Sequence, residues 1–290
     1  MPRLSQNKSG DAWEYGLAKQ FSELLRRPLR IKNGGAKTKD AYESLTTDQR
    51  RRIDEGANES VLFLRAFDER FDDVVDISIQ ADSAGIQGDV RDILLHFEHG
   101  DPIGISAKHR NSAVKHSRLS STIDFGELWY DRPCSDNYWR QVRPLFSNLE
   151  ERGGRWQDID DKHTRYYLPI LRAFVDEVRT YAVASTMLSY LIGRQDFYKV
   201  VKVNGYISIQ SFNLNGTLKW GTQLPMPDRI LEFLLKSKSN TTALLAMNNG
   251  WQLSFRIHNA RSMVEPSLKF DIQLIGHPAA LATNMIRYRI

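Results

Sequence analysis

Cysteine is almost absent from this chain. The single one, Cys134, excludes an internal disulfide and any cysteine-based zinc cluster. It reads as a small buried side chain. Long apolar runs are also missing: no stretch approaches the ~20 residues that a membrane helix needs. The segment "MPRLSQNKSGDAWEYG" has no apolar core of the signal-peptide kind. Together these absences predict a cytoplasmic protein with no membrane partner. Several motifs are missing as well: GxxxxGKS or GxxxxGKT, GxGxxG behind a strand, HExxH and GxSxG. P-loop, dinucleotide, zinc-protease and serine-hydrolase chemistry are left without support. No internal repeat, low-complexity tract or long linker breaks the chain.

What remains is a globular composition. Of 290 residues, 41% are hydrophobic and 26% charged, enough for one large domain or two modest ones. The formal charge of +5 permits nucleic-acid binding without requiring it. Basic residues concentrate in "RRPLRIKNGGAKTK" and "KHRNSAVKHSR", and acids in "FDERFDDVVD". Such runs are often only solvated faces.

Apolar spacing predicts a helix from about Gly10 to Leu25, with Trp13, Leu17, Phe21 and Leu24 as its stripe and Ser9 as its cap. Residues 40–67 read as one or two further helices, and 74–80 as a short strand. Helical patterns return over 134–151 and over 168–192, where Pro169 suits a first turn and Gly193 an end. After Arg194 the texture becomes strand-like: "DFYKVVKV", "YISIQSFNL", "TLKW", "TALLAMN", "WQLSFRIHNA" and "LKFDIQLIG". Asn-Gly steps between these runs signal hairpins. One helix is expected at "DRILEFLLKSK", 228–238. The resulting expectation is an α/β (α+β) protein with a core over 1–195 and a β-rich part over 196–290.

The stretch "GDVRDILLHFEHGDPIGISAKHR" carries chemistry. It reads as strands over about 90–97 and 103–109 around a turn. Antiparallel pairing brings Asp89 and Asp92 beside Ser106 and Lys108, on the strand face shared with Gly104. Carboxylates beside a lysine suit metal-assisted phosphodiester hydrolysis. The acids hold a hard cation, and the lysine orients water or stabilises developing charge. A plain Asp–Lys salt bridge is the competing reading. Glu14 sits next to the Trp13 stripe and can reach the same place. The donor-rich stretch over 108–129, unusual for a loop or helix, supplies Arg110, Lys115, His116 and Arg118 as phosphate contacts. On the strand "WQLSFRIHNAR", Arg256 and His258 share a face and are candidate base readers, with Asn259, Arg261 and Lys269 as further candidates.

Taken in order, "SGDAWEYGLA", "IQADSAGIQGDVRDI", "IGISAKHRNSAVKHSRLSSTIDFGELW", "CSDNYW" and "WQLSFRIHNARSMVEPSLKFDIQL" resemble the HaeIII family of type II restriction endonucleases. The resemblance implies the PD-(D/E)xK fold, a central mixed sheet flanked by helices. It implies Mg²⁺-dependent cleavage of double-stranded DNA at GGCC, between G and C, with blunt ends. A cognate DNA methyltransferase is implied as functional partner. Asp92 matches the motif acid, with Asp89 competing; Lys108 matches the lysine, and Glu14 the helical glutamate. Ser106 departs from the pattern, which has an acid there. The lost ligand is replaced by Glu14 or the second aspartate, or by water and the carbonyls of Ile105 and Ala107. The alternatives are a structure-specific or repair nuclease of this fold and a non-catalytic DNA-binding module. A palindromic site favours a homodimer, with a monomer acting twice as the other arrangement.

Overall fold

Trp13, Leu17 and Phe21 recur at helical spacing, and all three are wholly buried in helix α1, Gln6–Leu25. The structure, a computed structural model, describes residues 6–31, 35–80, 89–110, 113–203 and 205–288. Burying each such side chain stabilises by about 1.5–3 kcal/mol. The partner of α1 is a sheet whose buried face carries Ile77, Ile79, Ile93, Leu95, Ile103, Ile105, Tyr198, Val200, Ile207 and Ile209. Helix α2, Ala36–Glu43, and helix α3, Thr47–Phe67, join the same core. A reciprocal Thr46–Gln49 capping box starts α3. Gly16 permits the close approach of α1 and α3: a Cβ there would lie 2.2 Å from Ile53 Cγ2.

The chain divides into two units, each made of separated segments. The first comprises 1–112, 193–225 and 279–290; the second comprises 113–192 and 226–278. The first unit holds a seven-stranded mixed sheet in the order β1-β2-β3-β4-β6-β7-β12. Its strands are β1 Leu29–Ile31, β2 Asp76–Ile79, β3 Ile93–His96, β4 Ile103–His109, β6 Phe197–Val203, β7 Tyr206–Phe212 and β12 Thr283–Arg287. The β3–β4 hairpin pairs Ile93 with Ile105 and Leu95 with Ile103. Strand β4 also pairs with β6 in parallel. A parallel pair needs a long crossover, and residues 113–192 of the second unit occupy that stretch of chain.

The second unit is built on an antiparallel sheet in the order β5-β11-β10-β9-β8. These strands are β5 Ala113–Ser120, β8 Ile230–Leu235, β9 Thr242–Met247, β10 Gln252–His258 and β11 Ser267–Gly276. Its helices are α4 Phe125–Tyr130, α5 Asp136–Arg152, α6 Leu168–Tyr181 and α7 Ala184–Ile192. Phe125, Trp129, Phe174, Phe233, Phe255 and Phe270 form its aromatic core. Between β9 and β10, Asn249 and Gly250 take φ of 60° and 86°, the left-handed values that a tight hairpin turn demands.

Several expectations change. The chain does not divide at 195 into a core and a C-terminal part. Strands β6, β7 and β12 complete the first sheet, while β8–β11 join β5 in the second. Composition shows that a segment is a strand, but not which sheet it joins. Residues 228–238 hold strand β8, not a helix, because edge pairing with β9 and burial of Phe233 outweigh local helix preference. "TLKW" is not a strand. The 168–192 pattern is two helices, broken at Ala182 with extended φ and ψ of −74° and 136°. Residues 108–129 turn out to hold strand β5 and helix α4. Cys134 is buried, as expected. Among the described residues no helix is long and apolar enough to cross a membrane.

Candidate active site

Asp92 immediately precedes β3, and its backbone is pinned there: its N–H donates to Ile105 O at 2.8 Å, and its carbonyl accepts from Gln80 N at 2.9 Å. That anchoring aims the carboxylate at β4. Its Oδ2 accepts from Ala107 N at 2.7 Å, Lys108 Nζ at 2.9 Å and Ser106 Oγ at 3.3 Å. Among the described residues no hydrogen bond reaches Oδ1. One carboxylate oxygen is thus held rigidly and the other is available to a ligand.

Glu14 enters from α1, where the buried Trp13 beside it donates to Val200 O at 3.4 Å. Burial, then the charge of Asp92, push the Glu14 carboxyl well above its ordinary 4.5; Lys108 pulls the other way. Two carboxylates and an ammonium therefore share one place. A hard divalent ion held by Glu14 and Asp92 would offset the repulsion between the two carboxylates, so these residues fit such an ion. Among the described residues no group of three or more His, Cys, Asp or Glu is placed to hold a metal. Ser106, where an acid was expected, accounts for that shortage.

The other aspartate is differently engaged. Arg91 forks onto Asp89 with Nε–Oδ1 and Nη2–Oδ2 both at 2.8 Å, and Gln80 donates at 3.0 Å. Burial opposes ionisation, but these bonds outweigh it and hold the carboxyl below its usual range. The Arg91 stem also covers Gly104, where a Cβ would meet Arg91 Cδ at 2.0 Å.

The structure adds a residue that the sequence reading did not single out. Lys199 on β6 stands opposite Ser106 in the parallel register and is 5% exposed. Burial, then the charge of Lys108, lower its pKa to about 8, with Asp92 opposing. A second lysine thus lies within electrostatic reach of Asp92 and Lys108.

A mixed sheet carrying an acid–lysine pair with a helical glutamate matches the architecture that the sequence motifs imply. The family profile for the HaeIII restriction endonuclease matches residues 10–278. The chain belongs to the HaeIII family of restriction endonucleases. Type II restriction enzyme HaeIII of Haemophilus aegyptius is 36% identical to it over 304 aligned positions, covering 95% of this chain and 96% of that one. No solved structure matches. The chain is accordingly a site-specific deoxyribonuclease acting on double-stranded DNA, in a class that generally uses a divalent metal.

For a member of the HaeIII family, the candidate DNA contacts matter next. Arg110 follows β4 in a left-handed conformation, φ 55°, and is exposed. Its neighbour His109 has its pKa lowered to about 4 by burial and by Lys202 and Arg110, so it is neutral at pH 7 and adds no charge.

Lys115 does not fit the expected phosphate contact. It is 8% exposed, donates to Tyr190 O at 3.0 Å, and lies 3.4 Å from the centre of the Tyr190 ring. Strand alternation puts Ala113, Lys115, Ser117 and Leu119 inward. Its neighbours His116 and Arg118 face outward. Across the sheet Arg256 and His258 occupy the outward face of β10, while Phe255 and Ile257 face the core. Asn259 spends its amide donors on the carbonyls of Arg261 and Met263, tying its own loop. Arg261 is exposed.

Proposed function

We propose that this endonuclease hydrolyses GGCC duplexes between G and C, leaving blunt ends with 5′-phosphates, and that its metal is Mg²⁺. The observation that carries the chemistry is the Lys108–Asp92 bond with Glu14 beside it. Asp92 and Glu14 would hold the ion. When bound, it supplies Lewis-acid polarisation of the phosphate and a more acidic water. Lys108, fixed by Asp92, orients the attacking water and donates to the phosphate oxygen on which charge grows. The Asp92 Oδ2 contacts keep that ammonium in place, and α1 holds Glu14 against the hairpin. Asp89 keeps Arg91 folded over Gly104, which makes it a support for the hairpin rather than a ligand.

His116, Arg118, Arg256 and Arg261 present donors to DNA from the outward face of the second sheet and its adjoining loop, and Arg110 adds a phosphate contact near the end of β4. His258, expected as a base reader, is left out, because its Nδ1 lies 2.9 Å from Asn259 O and its Nε2 is buried 3.3 Å from Asp271 Oδ1. A palindromic target favours two copies related by a two-fold axis. A cognate methyltransferase would protect the cell's own sites, with both proteins in the cytoplasm.

The test is digestion of a sequenced plasmid with Mg²⁺, followed by sequencing of the ends. The expected result is cleavage at every GGCC, with ligatable blunt 5′-phosphate ends. Ends scattered without a common sequence, or located at junctions and lesions, would favour a repair nuclease of the same fold. An uncut plasmid that is nonetheless bound would favour a DNA-binding module.

A further inference from the structure

The outward face of the second sheet places its charges in a regular array. Arg256, Asp271 and His116 stand in register across β10, β11 and β5; the next rung is His258, Lys269 and Arg118. Asp271 joins three of these basic groups. Its Oδ2 accepts from Arg256 Nη2 at 2.7 Å, and its Oδ1 lies 3.0 Å from His116 Nδ1 and 3.3 Å from His258 Nε2. Glu265 plays the same part nearby. It takes Arg118 Nη1 at 3.1 Å on one oxygen and Arg261 Nε at 3.1 Å on the other. The side chains of both acids are 19% exposed, whereas those of Arg256 and Arg261 are 63% and 74% exposed. Acids form the floor and basic groups the surface.

An acid on a DNA-facing sheet works against simple attraction to phosphates. It makes sense where direction matters more than charge. A guanine is read by two parallel N–H donors, and a free arginine must give up its rotamer freedom to supply them. Arg256 spends one Nη2 hydrogen on Asp271 and keeps outward donors on an already fixed fork. Burial works against ionisation of Asp271, but Arg256 and the two histidines outweigh it and hold its carboxyl below the usual range.

We propose that Asp271 is a positioning residue for base recognition: by gripping Arg256 and His116 it fixes the donor array that distinguishes the target from its near-cognates. The proposal rests on the reading that this face meets DNA. Asp271→Asn keeps the volume but offers one acceptor where the carboxylate serves three basic groups. Discrimination between GGCC and single-base variants, measured as the ratio of cleavage rates, should fall about tenfold, within the range of one bidentate pair. Non-specific duplex binding should instead tighten, with the log-affinity versus log-salt slope steeper by ~0.9 as Arg256 is released to a phosphate. That opposed pair of changes supports the role.

Arg256→Ala is measured alongside. If it loses discrimination while Asp271→Asn does not, Asp271 positions nothing. If neither variant changes discrimination or binding, this face does not read DNA at all. Weaker binding to every duplex together with a lower Tm for Asp271→Asn would make Asp271 merely structural, and overturns the proposal.

Discussion

Lys108→Ala is expected to cut single-turnover cleavage by at least about a hundredfold, the usual cost of losing one fixed transition-state donor. Binding to duplex in the absence of metal should survive. The two effects separate because Lys108 bonds to Asp92 within the first unit's hairpin, whereas His116, Arg118 and Arg256 lie on strands of the second sheet. Removing the ammonium also leaves Asp92 Oδ2 with its bonds from Ala107 N and Ser106 Oγ, so the hairpin keeps its anchor. Lys199 does not take over. It is held on β6 opposite Ser106, buried, and partly neutral above its pKa of about 8. A variant that cleaves at near-normal rate would remove Lys108 from the chemistry.

Glu14→Gln should produce two shifts of opposite sign. Without metal the variant should be the more stable protein at pH 7–8. The Glu14 pKa in the folded chain lies above its ordinary 4.5 because of burial and then Asp92. Below the unfolded value both states hold the proton, and the group's contribution is fully present. As pH rises from there the unfolded chain loses the proton first, so stability declines until the folded pKa is passed. Glutamine carries no such decline. Its Tm in EDTA should therefore exceed that of the wild type, and the gap should widen with pH over this window. With Mg²⁺ the order should reverse, because the ion stabilises only the chain that has both carboxylates. Cleavage by the variant should need far more Mg²⁺. Equal Tm values in EDTA, with equal responses to Mg²⁺, would remove Glu14 from the metal site.

The Asp92–Lys108 pair was legible in the sequence because it is local. A short turn joins β3 to β4, and period-two alternation places the pair once the hairpin is recognised. Glu14 was legible from its position beside the Trp13 stripe. Lys199 was not, because its place depends on the parallel β4–β6 pairing, and the second unit intervenes in the chain. The signal that existed was a lysine inside the strand run "DFYKVVKV". Lys115 went wrong for want of a phase. In a segment read as loop or helix every basic residue counts as exposed, yet in a strand Lys115 and His116 must face opposite ways. Asp271 was illegible for a similar reason. An acid within a strand run reads as a solvated residue, and only the three-strand register of β10, β11 and β5 puts Asp271 between Arg256 and His116. Strand β8 shows the remaining limit, since "DRILEFLLKSK" carries a helix-compatible pattern and its strand state is decided by pairing with β9.

On the proposed mechanism Asp92, and not Asp89, completes the catalytic centre with Lys108 and Glu14. Asp92→Ala and Asp89→Ala, measured side by side on one short GGCC duplex with Mg²⁺, test it most directly. The reading is the single-turnover cleavage rate at saturating enzyme, with metal-free binding measured on the same preparations. Asp92→Ala should bind the duplex as the wild type does and leave it uncut. Asp89→Ala loses the Arg91 fork and should show a lower Tm while it still cuts GGCC. Cleavage by Asp92→Ala at near wild-type rate, or a folded and DNA-bound Asp89→Ala that does not cut, would overturn that assignment.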